Sequence, residues 1–398
     1  MKIKALTLFL VFLSHAFYGC SMFKMTHKGK TIVGNNEDWV SPNAEIWFEP
    51  KQQDKYGVAY VGFINRFPQG AMNEAGLVFD GFATPEISVP KQEGKIQKPV
   101  RDIVHYVMAN FNTVHQVKDY LSTIDMSFLT SSVMMFVDKT GEYLLVEGGA
   151  LVLGNQEYYI QSNFNPTKST VEEDKKKLDY YMKGVSFLKA RKPDGTPAFC
   201  SSVMDQMHVK DTQYTNIYDL NKGTIQLFLH HDFSHSVEIN LEKELKKGTH
   251  SYMMADLFPA TSEGVLFYKK YNDADNPAGY LQDIWAKGTA GKTKEEIENY
   301  KATSGLAWLS NYIGYEWMRD KKQIDAAIKI FTFATEMYPE NANLFDSLGE
   351  AYWMAKDYKA AIMNYGKSLS LNPKNLDAID MLMKIKQEEE KTESKKIN

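Results

Sequence analysis

The pattern of apolar and polar positions divides the chain into a strand-rich part, a mixed part and a helical part. Lys30-Thr31-Ile32-Val33-Gly34 and Gly57-Val58-Ala59-Tyr60-Val61-Gly62-Phe63 are short β-branched and aromatic runs set off by glycine and polar clusters, which predicts strands. From Val100 the period changes. Val100, Ile103, Val104, Val107 and Met108, then Val114, Val117 and Leu121, recur at helical spacing and predict two helices joined at Asn110-Phe111-Asn112. Val133–Val137 and Tyr143–Val146 flank Asp138-Lys139-Thr140-Gly141, a hairpin signal. A helix is expected over Asp174–Leu188, and strands over Gln213–Phe228 and Val237–Leu241. Strands, helices, strands, helix, strands is the order of an α+β layered domain.

After residue 305 the chain reads as all-helical and repetitive. Leu348-Gly349, Tyr352, Ala361, Tyr365 and Pro373 fall at the spacings of a tetratricopeptide repeat. Gly314, Trp317, Ala327, Phe331, Ala334 and Pro339 form a preceding unit, one residue longer before its second helix. Residues 261–304 read as a linker, residues 305–390 as the repeats with a capping helix from Leu376, and residues 391–398 as a charged, solvated tail.

The N-terminus adds an address. Lys2 and Lys4 precede the apolar stretch Ala5–Leu13, and Ser14-His15-Ala16 offers a signal-peptidase site. Residues 1–19 are therefore expected to be a signal peptide with the short propeptide Phe17-Tyr18-Gly19, which places the protein in the periplasm or outside the cell. The alternative is a lipoprotein signal that ends with lipid on Cys20. Net charge is −4 with balanced acids and bases, which leaves no broad footprint for nucleic acid. Two cysteines, Cys20 and Cys200, exclude a disulfide scaffold but not a single bridge.

Several short motifs follow Cys20 in order. They are Gly34-Asn35-Asn36-Glu37-Asp38-Trp39, Met72-Asn73-Glu74-Ala75-Gly76-Leu77, Ala109-Asn110-Phe111, Ser162-Asn163 and Thr212-Gln213-Tyr214-Thr215. Over roughly residues 20–250 the chain resembles the choloylglycine hydrolase and penicillin V acylase family of N-terminal-nucleophile hydrolases, which makes residues 20–260 the expected hydrolase domain. That resemblance implies an αββα sandwich and an amidase acting on non-peptide C–N bonds of linear amides. It also implies Cys20 as nucleophile at the mature N-terminus, freed by self-cleavage of the propeptide. Asp38 would be the carboxylate that orients it, and Asn163 a donor to the oxyanion. Asn35 stands where the family has arginine, and Ala83 where it has a second oxyanion side chain, so Ala83 would contribute a backbone N–H. The substrate is expected to be a small-molecule amide, and the repeats point to a protein partner.

The chemistry requires these residue types. A thiol attacks only as thiolate, and a free α-amine, with a pKa of about 7.7–8.0, can take its proton when both sit on one residue. Neither metal nor organic cofactor is needed. His230, His231 and His235 could suggest a metal, but their spacing lacks a matching Cys or Glu cluster, and alternating strand positions would turn the first two to opposite faces. They are read as solvent-facing or edge-strand histidines. The competing reading of the whole chain is a lipid-anchored interaction protein with a degenerate hydrolase domain.

Overall fold

The computed structural model describes residues 20–397, and side chains through residue 387. The expected signal peptide and the Phe17-Tyr18-Gly19 propeptide lie outside the described residues. The chain divides into two compact units, residues 1–264 and 265–398.

In the first unit, β1 (Ser21–His27) and β2 (Lys30–Asp38) form a hairpin. Its turn residues Lys28 and Gly29 both have positive φ, 50° and 74°, the type I′ geometry that matches strand twist. The strands β3 (Ala44–Glu49), β4 (Val58–Phe63), β5 (Pro68–Asn73) and β6 (Val78–Ala83) follow as a meander. Helices α1 (Val100–Asn110) and α2 (Val114–Leu121) come next, then β7 (Ser132–Val137), β8 (Tyr143–Glu147), β9 (Ala150–Gly154) and β10 (Tyr158–Gln161). Helices α3 (Val171–Lys176), α4 (Asp179–Ala190) and α5 (Pro197–Met207) precede β11 (Thr212–Asp219), β12 (Thr224–Leu229) and β13 (Val237–Asn240). A short helix α6 (Leu241–Leu245) and β14 (His250–Met253) complete the layer.

The strands form two antiparallel sheets. One has the order β10-β1-β2-β11-β12-β13 and the other β14-β3-β4-β5-β6-β7-β8-β9. Each sheet carries helices on one face. Cys200, Val203, Met204 and Met207 of α5 are buried with Phe23, Met25 and Ile32 of the first sheet. Ile103, Val104 and Val107 of α1 and Val114 and Val117 of α2 are buried with Tyr60, Phe136 and Leu144 of the second. The opposite faces meet each other: the rings of Phe63 and Tyr214 lie 5.9 Å apart, and Gly70 sits under the Tyr218 hydroxyl. The result is a helix–sheet–sheet–helix sandwich, the mixed arrangement expected from the strand and helix order.

Three segments differ from the sequence expectation. The helix expected over Asp174–Leu188 is broken at Leu178, whose backbone is extended, into α3 and α4. Helix α5 was not anticipated. Cys200 on it is fully buried and unpaired, and burial pushes its thiol pKa up; a Cβ at Gly34 would lie 2.8 Å from its sulfur. Cys200 is thus core filling beneath β2.

The segment read as a linker is helical. Helices α7 (Glu263–Tyr271), α8 (Gly279–Thr289) and α9 (Lys294–Thr303) occupy it. Leu281 of α8 is fully buried, whereas α9 buries no residue and is held at its start by a capping box between Thr293 and Glu296. Helices α10 (Leu306–Tyr315), α11 (Ile324–Met337), α12 (Ala342–Met354), α13 (Tyr358–Leu371) and α14 (Leu376–Ile397) then pack each on the next. The last of these carries helical backbone through the expected tail.

A glycine under an aromatic ring recurs in this unit. A Cβ at Gly314 would lie 2.3 Å from Phe331, and one at Gly349 2.9 Å from Tyr365. A π-helical turn, Glu316–Asp320, follows α10 directly. Among the described residues no helix is long and apolar enough to cross a membrane.

Candidate active site

Cys20 immediately precedes β1. The β1–β2 register pairs Ser21 with Asn36, and continuing it by one residue sets Cys20 beside Glu37. The Sγ lies 3.8 Å from Glu37 Oε1 and 3.8 Å from the Asp38 carbonyl oxygen. The residue is 6% exposed and lines a cavity of about 280 Å³. Other walls of the cavity are Trp39, Phe67, Phe79, Phe82, Leu129 and Met134, with Glu37, Asp38 and Ala83 among the polar or backbone contributors. An apolar chamber with a few convergent polar groups is the common form of a small-molecule site.

Pairing of β10 with β1 (Gln161 with Met22) brings the strand end at Ser162 to Cys20. The Ser162 hydroxyl donates to the Cys20 carbonyl at 2.9 Å. The Tyr180 hydroxyl, 2.9 Å from Ser162 Oγ, donates to Asn163 Oδ1 at 2.7 Å. Asn163 Nδ2 in turn donates to the Ala83 carbonyl at 2.7 Å. These bonds run from the nucleophile candidate in the first sheet to the end of β6 in the second. An amide nitrogen carries two hydrogens, and the bond to Ala83 uses one of them.

The site residues expected from sequence are therefore placed as follows. Cys20, Asp38 and Ala83 share the cavity wall, and Asn163 is bonded to Ala83. The Asp38 carboxylate accepts from the Thr212 hydroxyl across the β2–β11 pairing, and the Asp38 carbonyl oxygen lies 3.8 Å from the thiol. Asn35 is buried, its Nδ2 donates to the Asn36 carbonyl at 3.5 Å, and it does not line the cavity. Glu37 and Ser162 lie inside motifs quoted from the sequence but carry no role there, and Tyr180 lies in none of them. Glu37 was open to discovery, because the hairpin register alone sets it beside Cys20. No spacing in the sequence points to Tyr180.

Burial favours the protonated forms of Cys20, Glu37 and Asp80. Burial, then the charges of Glu37 and Asp38, push the Cys20 thiol well above its ordinary pKa. Burial, then Asp80 and Asp38, likewise push the Glu37 carboxyl well up, and burial does the same to Asp80. Glu37 Oε2 and Asp80 Oδ2 are buried without a hydrogen-bond partner among the described residues. Such a setting favours the neutral form of a carboxyl.

No protein-family model matches the chain, and no curated protein matches it. Solved structures do show similarity. A mutant conjugated bile acid hydrolase from Clostridium perfringens has 20% identity and a TM-score of 0.47, over 58% of this chain and 96% of that one. Penicillin V acylase from Agrobacterium tumefaciens has 15% identity and a TM-score of 0.47, over 59% and 92%. A Caenorhabditis elegans N-acylethanolamine-hydrolyzing acid amidase ortholog has 13% identity and a TM-score of 0.40, over 50% and 93%. At these levels of similarity the chain's own residues carry the functional argument.

Proposed function

We propose that the chain is an exported cysteine N-terminal-nucleophile hydrolase that cleaves a linear amide with an apolar acyl group. The observation that carries this reading is the Cys20 thiol on the wall of an apolar cavity, with the Cys20 carbonyl anchored by Ser162. Export rests on the basic-then-apolar start of the sequence, and the helical unit is read as tetratricopeptide repeats from its spacings and its recurring glycine–aromatic contact.

The thiol is unreactive while it keeps its proton, and its surroundings favour the protonated form. Removal of the residues before Cys20 creates an α-amine on the same residue, and this amine is the base. It accepts the thiol proton as sulfur attacks the amide carbonyl carbon. The carbonyl oxygen becomes an oxyanion, facing donors from Asn163 and the backbone at Ala83. Collapse breaks the C–N bond; the amine product leaves with the proton from the α-ammonium. A thioester remains on Cys20. Water, deprotonated by the same α-amine, attacks it and releases the acid and the thiol.

The test is an acid-quenched incubation of the mature protein with a panel of N-acyl amides, read by intact mass. Apolar-acyl amides are expected to leave an acyl adduct on the peptide that contains Cys20. Amide turnover with no adduct on Cys20, under conditions that preserve thioesters, contradicts the mechanism.

A further inference from the structure

Outside the cavity, the first unit gathers a second group of chemistry-bearing side chains. Strand β12 ends at Leu229, and His230 beyond it adopts a left-handed backbone, φ 57°. The chain therefore leaves the pleat before the second histidine. The rings of His230 and His231 do not project from opposite faces, as strand alternation implied; their centroids lie 3.8 Å apart. The carboxylate that local sequence lacked arrives from Glu263, at the start of α7. Gly264 permits this approach: a Cβ there would lie 2.7 Å from Leu229 Cγ and 3.0 Å from His230 Cβ. One ligand atom from each of His230, His231 and Glu263 lies within 4.8 Å of the others.

We infer that His230, His231 and Glu263 form a binding site for one divalent transition ion of the zinc class, separate from the Cys20 cavity. None of the three lines that cavity. Two imidazole nitrogens and one carboxylate oxygen suit a borderline ion such as zinc or cobalt and not calcium or magnesium, which take oxygen ligands. Ligands at about 2.0–2.2 Å from a tetrahedral ion stand roughly 3.4 Å apart. The exposed Glu263 side chain has the freedom to close the remaining gap. Three protein ligands leave a fourth position for water.

The surroundings fix the two rings. The His230 amide donates to the Gln213 carbonyl at 2.6 Å, tying the turn to β11. His231 stacks against His208 with centroids 5.8 Å apart. A left-handed backbone is unfavourable for any residue with a Cβ. Histidine at 230 thus occupies a position where glycine fits more easily, and it brings an imidazole to the cluster. His235 is not a ligand; its Nδ1 pairs with Asp232 at 2.7 Å.

The test is a titration of the full chain, freed of any affinity tag and stripped with chelator, with Co²⁺, read by visible d–d absorption. One equivalent is expected to give a four- or five-coordinate band that one equivalent of Zn²⁺ abolishes. Glu263→Gln is expected to weaken Co²⁺ binding about tenfold or more, and His231→Ala to remove the band. His230→Gly relieves the backbone and should therefore fold at least as well while losing the band. His235→Ala is expected to bind as the wild type does. Absence of a band in the wild type overturns the assignment, as does a His230→Gly or Glu263→Gln chain that binds Co²⁺ with unchanged affinity.

Discussion

Replacing Cys20 with alanine is expected to lower amide turnover by about 10⁴-fold or more, the scale seen when an enzyme loses its nucleophile. The substitution removes the only atom at the site able to form the thioester. It should leave the fold intact: Cys20 lies at a cavity wall and its carbonyl bond to Ser162 is made by backbone. Cys20→Ser keeps an oxygen nucleophile, but a hydroxyl is far harder to deprotonate than a thiol, so this variant should be nearly as impaired. The check is turnover of the best amide from the panel, measured beside thermal unfolding of each variant. Turnover that survives Cys20→Ala in a folded protein removes the thioester mechanism.

The buried carboxyls give the second large effect, on stability. Glu37 has a pKa raised by burial, then by Asp80 and Asp38. Unfolded, a glutamate ionises near its ordinary pKa of about 4.3. Above that value the native chain holds a proton that the unfolded chain has released. The native state then binds more protons, so stability falls as pH rises. The favourable contribution is complete below the unfolded pKa and is lost as pH climbs toward the raised native value. Glu37→Gln cannot ionise and escapes this loss. Its urea midpoint is expected to fall less than the wild type's between about pH 5 and about pH 8, and to exceed it at the upper end. Parallel wild-type and Glu37→Gln curves across that range would show that Glu37 is ionised in the native protein.

Local signals carried much of the fold into the sequence. The helical periods at Val100–Leu121 and the Gly141 turn appear as α1, α2 and the β7–β8 hairpin. Helix α5 was legible and passed over: Thr196 caps it, Pro197 opens it, and Cys200, Val203, Met204 and Met207 recur at helical spacing. Helix α9 escaped because it has no apolar stripe to read; its start is fixed by Thr293 and Glu296 instead.

The candidate site divides along the same line. Cys20, Glu37 and Asp38 meet through one hairpin, which sequence can register. Ser162 reaches Cys20 only through pairing of β10 with β1, across 142 residues of chain, and no local pattern encodes that partner choice. The histidine pair shows the opposite failure. Strand alternation ends at Leu229, two residues short of His231, and the left-handed backbone at His230 turns the second ring back beside the first.

The most direct measurement is the mass of the N-terminal peptide of the mature protein. The account predicts a peptide that begins at Cys20 with an unmodified α-amine and thiol, and a Cys20→Ala chain that keeps Phe17-Tyr18-Gly19. A peptide that begins at Cys20 with lipid on sulfur and an acylated amine would contradict it, because acylation removes the base that the reaction needs.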